Sequence, residues 1–419
     1  MKKLLILGGS SYIVPVIQKA HELGLFVITC DYLPQNIAHT YSDEYWNISI
    51  IEKELVLRAA EKEKIDGVIS FACDPGVVTA AYVAEKMNLP FQGSYEAVSI
   101  LQDKGRFRQF LMEHEFNCPH SRRYTDREAP KKDIEFFHWP VMVKPVDSAG
   151  SKGVTKVGKP DELSVAIDTA LAISHCGAFI IEDFLTFQGF HSSADPFTVD
   201  GKLEFVSYSD QLFDPEAANQ YTPARIIWPT TMTREHQDEL TKETQRLMEL
   251  LHMRTGIYNI ETCVGRDGRP YLMEVSPRGG GCKIAELQEM AMGVPLVENE
   301  IRKAVAMPLL PMKAHPVEGH WCEMILHAQS GQSGILQNIS IDDKVCKKYL
   351  RLLAMSARPG DLVEPFTGAN KSLGDMFLHF ESREMLDRMT QHPCEWIQVN
   401  LENKKKIGGG TKLMPRSKS

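Results

Sequence analysis

The first hundred residues alternate short apolar runs with stretches of helical spacing, and this pattern limits the fold more than any other feature of the chain. Leu4–Leu7, Leu25–Cys30 and Gly67–Phe71 have the length and composition of buried strands, while Val14–Leu23, Glu52–Glu63 and Val77–Met87 repeat apolar residues as a helix face does. Strands separated by helices pair in parallel, because the helix returns the chain across the sheet and covers its face. The opening is therefore predicted to be a parallel sheet wrapped by helices. Its first turn, Gly8-Gly9-Ser10-Ser11-Tyr12-Ile13, lacks the third glycine of a dinucleotide fingerprint, although Asp31 follows the second strand where a ribose-binding acid would stand. A nicotinamide-dependent oxidoreductase is one reading of this unit, and the missing glycine counts against it.

Two helical patterns occupy Ser94–Glu115, the second opening at Asp103-Lys104, and Val141–Pro145 then reads as a strand followed by a glycine-bearing loop. Further strands are expected at Phe179–Phe184, Phe190–Val199 and Leu203–Ser209, with Asp200-Gly201 as a hairpin turn. A long amphipathic helix is predicted from an N-cap at Thr233 through Leu251. Beyond about Pro308 short strands with Gly-rich turns suggest a third, mostly β unit, and Lys404–Ser419 reads as a basic, solvated tail or an appended remnant. A chain of 419 residues with 43% hydrophobic and 24% charged side chains suits such a multidomain globular protein. With 47 basic against 55 acidic residues it has no basic excess for nucleic acid. The nine cysteines include no C-x-x-C pair, so they read as reduced thiols, and no apolar stretch reaches the ~20 residues of a membrane span. Gly8-Gly9 cuts the N-terminal apolar run short of a signal peptide, and the chain is expected to be cytoplasmic, with neither nucleic acid nor membrane as partner.

The most informative stretch is Gly256–Val264, Gly265–Arg269 and Pro270–Ser276. A two-residue turn at Asp267-Gly268 would place Glu261 opposite Glu274 and Asn259 opposite Ser276, all on one face, with Ile260, Met273 and Val275 on the other. Two carboxylates ~5 Å apart repel by about 3 kcal/mol at an effective dielectric near 20, so a compensating charge is required. A divalent cation with hard oxygen ligands supplies it most simply, and Mg²⁺ typically takes one or two carboxylates plus nucleotide phosphates. The alternatives are a longer turn with a bulge at Gly268 that shifts the register, or neutralisation by Arg266 and Arg269. Arg278 and Gly279–Gly281, just beyond, offer a forked cation and an open backbone to a phosphate or carboxylate.

After the strand bearing Lys144, Asp147–Val154 holds Ser148, Gly150, Ser151, Lys152 and Gly153. Small residues let backbone N–H groups approach phosphate oxygens, with Lys152 adding charge, although the loop is no Walker A motif and also reads as a plain hairpin connection. Lys144 by itself reads equally as a strand lysine with its head in water.

Asp103-Lys104, Lys144-Pro145, the loop Ser148–Gly153, Ile180–Leu185, Glu261 and Glu274-Val275-Ser276-Pro277-Arg278 occur in the order found in the ATP-grasp superfamily, which the chain resembles over about residues 1–300. Gly8-Gly9, Asp31 and Asp74-Pro75 resemble the Rossmann-like domain that precedes it in those enzymes, and the β-rich end resembles the C-terminal domain of the amino-acid ligase and biotin carboxylase branches. The fold class implied is α/β and α+β multidomain: a Rossmann-like unit over 1–100, an ATP-grasp unit over 101–307, a β-rich unit over 308–401 and a tail over 402–419. Residue by residue, the resemblance implies that Lys104 and Lys144 contact ATP phosphates beneath a flap formed by Ser148–Gly153. It places Glu182, Phe184 and Leu185 at the adenine and His191 near the sugar. Glu261 and Glu274 would bridge Mg²⁺ or Mn²⁺, with Ser276 where the family usually has Asn, and Arg278 would steady the transferred phosphate.

The reaction so implied is ligation of a small-molecule carboxylate to an amine through an acyl phosphate, with Lys144 and Arg278 catalytic. An amino-acid or dipeptide type of substrate is favoured over glycinamide ribonucleotide synthetase or biotin carboxylase chemistry, a homodimer is typical of the relatives, and a non-catalytic ATP-binding module is the alternative from another class. Arg225 is read as a surface arginine or a contact for a substrate carboxylate.

Overall fold

The computed structural model describes residues 1–148, 150–329 and 331–402. The first unit is a four-stranded parallel sheet, β1 (Lys3–Leu7), β2 (Phe26–Cys30), β3 (Glu44–Trp46) and β4 (Gly67–Ser70), in the order β3-β2-β1-β4. Helices α1 (Val14–Glu22) and α2 (Lys53–Glu63) join its strands and α3 (Asp74–Met87) follows the last of them, as the alternation predicts. Leu5, Leu7 and Ile28 are fully buried against Val77, Ala80 and Ala84 of α3 and Val56 of α2. Asp31 does not stand free for a ribose: it is 7% exposed and its carboxylate accepts the Leu33 N–H at 2.8 Å, closing the turn after β2.

Two helices follow, α4 (Tyr95–Gln102) and α5 (Lys104–Glu113). Ser94 caps α4, and Asp103 caps α5 by accepting the N–H groups of Gly105 and Arg106 at 2.8 and 3.0 Å, which fixes Lys104 in the first turn. A small antiparallel sheet then forms from β5 (Ser121–Tyr124), β6 (Val141–Pro145), β7 (Thr155–Val157) and β8 (Phe179–Asp183), in the order β5-β8-β6-β7, backed by α6 (Leu163–Ile173).

The expected strand Phe190–Val199 breaks in two, because Pro196 cannot donate to a ladder. Its first part is β9 (Phe187–Ala194), and its second, β10 (Phe197–Val199), turns at Asp200-Gly201 into β11 (Lys202–Phe205). The chain continues through β12 (Asp210–Phe213), β13 (Pro223–Trp228), the Thr233-capped α7 (Arg234–Leu250), β14 (Gly256–Ile257), β15 (Asn259–Gly265) and β16 (Pro270–Ser276). After α8 (Ile284–Met292) and α9 (Leu296–Ala304) come β17 (His320–Leu326), β18 (Gly334–Ile341), α10 (Asp343–Tyr349), β19 (Leu350–Met355), β20 (Leu362–Val363), β21 (Gly374–Phe380), α11 (Arg383–Gln391) and β22 (Ile397–Glu402).

One eight-stranded sheet, ordered β16-β15-β9-β12-β13-β17-β21-β19, runs through both the second and third expected units. The boundary set at 307/308 falls before β17, yet β17 pairs with β13, so the β-rich end continues the large sheet instead of standing beside it. Glu402 closes β22, and the tail from 403 onward lies outside the described residues. Among the described residues no helix is long and apolar enough to cross a membrane.

Candidate active site

A cavity of about 1230 Å³ lies where the first unit, the small sheet and the large sheet meet. Its floor is the β15–β16 hairpin, in which Glu261 faces Glu274 and Asn259 faces Ser276. The pairing agrees with the sequence reading, but the turn that produces it does not. Gly265 N–H donates to Arg269 O at 2.8 Å across a three-residue loop with Gly268 at φ +79°, so pairing first runs one residue off, with Thr262 opposite Leu272. A bulge at Met273 then restores the register at the glutamates. The bulge also turns Met273 into the cavity, whereas Ile260 and Val275 enter the core as expected. Arg269 pairs with Asp267 inside the exposed turn, so the arginines there do not neutralise the glutamates.

That charge comes from Lys104, whose Nζ stands 3.2 Å from Glu274 Oε2 and donates to the Ser148 carbonyl at 3.0 Å. Burial works against its ammonium, but Glu274, Asp74 and Glu261 outweigh it and hold the pKa above the ordinary value. Burial, and then the charge of Glu274, push the Glu261 carboxyl up against the pull of Lys104, Lys144 and Arg278. One lysine head against two facing carboxylates leaves room for a cation, and the all-oxygen donor set suits Mg²⁺ or Mn²⁺.

Lys144, on β6, is bound to Glu182 on β8, which also accepts from Arg108 Nε at 2.9 Å. Glu182 lines the cavity, but it is 2% exposed inside β8 and both of its oxygens are bound to cations. Burial raises its pKa, but Lys144 and Arg108 prevail and bring it down to about 2. Arg108 was not singled out from the sequence, although it lies four residues after Lys104 and so on the same face of α5. Phe184 and Leu185, just past β8, do line the cavity, with Lys156 Nζ 3.6 Å from the Phe184 ring. His191 also lines it, edge-on to Phe187 and Phe213, and burial followed by Lys144 lowers its pKa to about 4.

The β6–β7 loop overhangs the cavity. Gly150, Ser151 and Gly153 all have φ between 59° and 71°, and Ser148 Oγ donates to the Lys152 carbonyl at 3.2 Å. Ser151 Oγ reaches the Tyr221 carbonyl at 2.8 Å and its own carbonyl accepts from Asn219, which fastens the loop across the opening while Lys152 stays exposed.

Arg278 is buried in a forked pair with Asp74, at 2.6 Å to each carboxylate oxygen, and donates to Gly279 O. Ser276 Oγ donates to Asp74 at 2.9 Å and accepts from Gln102 at 2.7 Å, so its hydroxyl is tied to this hub and only one lone pair is free. Burial raises the Asp74 carboxyl, yet Arg278 outweighs it and leaves the pKa lowered. Asp195, unremarked in the sequence, accepts from Gly280 N at 2.6 Å and Asn259 Nδ2 at 2.8 Å and so positions both. Gly279 must be glycine, since a Cβ there would lie 2.2 Å from the Phe71 ring. Arg225 is directed elsewhere, to Thr390 on α11, because side chains alternate along β13 and Ile226 takes the cavity side.

Residues 112–296 match the family model for the D-ala D-ala ligase C-terminus. The chain is 24% identical over 279 residues to the carbamoyl phosphate synthase large chain of Thermotoga petrophila, covering 66% of this chain and a quarter (25%) of that relative's length. Among solved structures it is similar to the L-amino acid ligase from Bacillus licheniformis, with a TM-score of 0.79 and 19% identity over 96% of this chain and 99% of the other. It is also similar to the biotin carboxylase domain dimer of the Hydrogenobacter thermophilus 2-oxoglutarate carboxylase, solved with MgADP, ADP and bicarbonate, with a TM-score of 0.74 and 15% identity over 95% and 90%. The chain shares its mixed α/β fold with both of these proteins. The family match over residues 112–296 and these likenesses support the resemblance to the ATP-grasp superfamily.

Proposed function

We propose that the protein ligates a small-molecule carboxylate to an amine at the expense of ATP, through an acyl phosphate. The observation that carries this is the pair Glu261 and Glu274, opposed on the cavity floor with Lys104 beside them and the β6–β7 loop above. Glu261 and Glu274 would hold Mg²⁺, which would draw charge from the nucleotide phosphates. Lys104 and Lys144 lie where cations can meet charge that spreads during phosphoryl transfer, and Arg278 can steady the transferred group once Asp74 shares it. The loop Ser148–Gly153, fastened over the opening, would keep water from the acyl phosphate.

An amino-acid or related carboxylate is favoured as substrate, which the likeness to an L-amino acid ligase supports. A homodimer is part of the same reading; the biotin carboxylase relative is a dimer. ADP release from MgATP, with pooled carboxylates crossed with pooled amines, tests the proposal. Release should require both pools and fall by ~10²–10³ in Glu274→Gln; release independent of the amine, or unchanged in the variant, would overturn it.

A further inference from the structure

A second group of acids lies at the other end of the same cavity, on the part of the large sheet contributed by the C-terminal residues. Glu323 of β17 and Asp375 of β21 sit on neighbouring paired strands and share the sheet face that carries Ile325. They are 0% and 2% exposed. An oxygen of each and the Cys282 sulfur lie within 4.8 Å of one another. Cys282, Tyr12, Ile325 and Ser372 line the cavity at this point, so the acids stand directly behind its wall. Both Glu323 carboxylate oxygens and Asp375 Oδ1 have no hydrogen-bond partner among the described residues. An apolar side chain would serve a core strand better, because each buried polar atom left unpaired costs ~1–3 kcal/mol. Such a local conflict is expected where a ligand completes the site.

We propose that Glu323 and Asp375 form a recognition pocket for a primary ammonium group carried by a substrate into the C-terminal end of the cleft. Three partnerless oxygens face a group with three N–H donors, so one ammonium satisfies all of them. A metal fits less well. Mg²⁺ demands near-octahedral oxygen coordination, and two carboxylates with a sulfur as the third donor do not provide it. A softer ion would take the Cys282 sulfur as a third ligand, and competition between Zn²⁺ and an ammonium decides between the two. Without a cation the protonated forms of both acids are favoured: burial drives Glu323 well up and Asp375 to about 7, with Lys283 pulling the other way on both and Glu286 of α8 adding repulsion. Arrival of the ammonium displaces these protons to solvent and leaves an ion pair. An ammonium held there has no lone pair and cannot be the attacking amine. It is a handle, and the substrate class is a carboxylate or amine that bears a further primary amino group left intact by the reaction. That class rests on the ligase reading; the pocket does not.

The test is titration of the full chain with ¹³C-methylammonium in the presence of MgADP, a probe small enough to reach the pocket whatever the shape of the natural substrate. One saturable site is expected, weakened at least tenfold in Glu323→Gln/Asp375→Asn, with MgADP affinity unchanged as the check on folding. Absence of saturable binding, equal binding in the variant, or stoichiometric Zn²⁺ binding that methylammonium cannot displace would overturn the inference. ADP release separates it from the ligase reading: methylammonium binding without acceptor-dependent release would remove the ligase and leave the pocket. Release at full rate from substrates without an ammonium, unchanged in the variant, would do the reverse.

Discussion

The two halves of the eight-stranded sheet each bring a pair of acids to one cavity, and they treat them in opposite ways. At the hairpin end Glu261 and Glu274 face each other with Lys104 alongside, and Glu182, on β8 of the small sheet that lines the same cavity, is clasped by Lys144 and Arg108. At the C-terminal end Glu323 and Asp375 have orphaned oxygens, with Lys283 as the nearby cation that shifts them. The first group is organised before any ligand arrives, as electrostatic preorganisation for phosphoryl transfer requires. The second is pushed by burial toward its neutral form until a cation enters. One cleft thus has a permanent charge scaffold where chemistry is proposed and a latent one where recognition is proposed.

The comparison breaks most sharply at Glu182. Replacing it by Gln leaves Lys144 and Arg108 without their counter-charge and should cost about 3–5 kcal/mol, read as a fall in thermal stability at pH 7. Because Glu182 is depressed from an ordinary 4.5 to about 2, its contribution is full above about pH 4.5 and is lost as pH falls toward about 2, so wild type and variant should converge there. Glu274→Gln should leave the fold intact and lower turnover by ~10²–10³, as loss of a transition-state charge contact does. Gly279→Ala forces a methyl onto the Phe71 ring and should destabilise by ~1–3 kcal/mol in denaturant unfolding. A change of opposite sign is expected at the other end. Asp375 is raised from 3.8 to about 7, so the folded state holds the extra proton and wild-type stability falls as pH rises through that window. Asp375→Asn should match wild type near pH 4 and exceed it above pH 7, the opposite slope from Glu182.

The first unit was legible because each of its strands is a continuous apolar run and each helix keeps its period; only β3, three residues long, gave no signal. The opposed glutamates were legible too, but through two deviations that offset each other, a longer turn and a bulge at Met273, neither of which side-chain periodicity reveals. Ion pairs that join distant segments were not legible. Glu182 with Arg108 spans 74 positions and Asp74 with Arg278 spans 204, and no local pattern marks such partners. For the same reason the acids of β17 and β21 passed unnoticed: each sits singly in an apolar strand, and only the pairing of the strands brings them together. The boundary near 308 follows a real change of pattern, but hydrogen bonding between β13 and β17 carries the sheet across it.

The central claim, that Glu261 and Glu274 hold the metal of the nucleotide, is tested most directly by titrating ADP into wild type and Glu274→Gln with and without Mn²⁺. Mn²⁺ should strengthen ADP binding in wild type, the variant should lose at least tenfold of that gain, and metal-free ADP should bind both alike. An equal Mn²⁺ enhancement in the two proteins would contradict it.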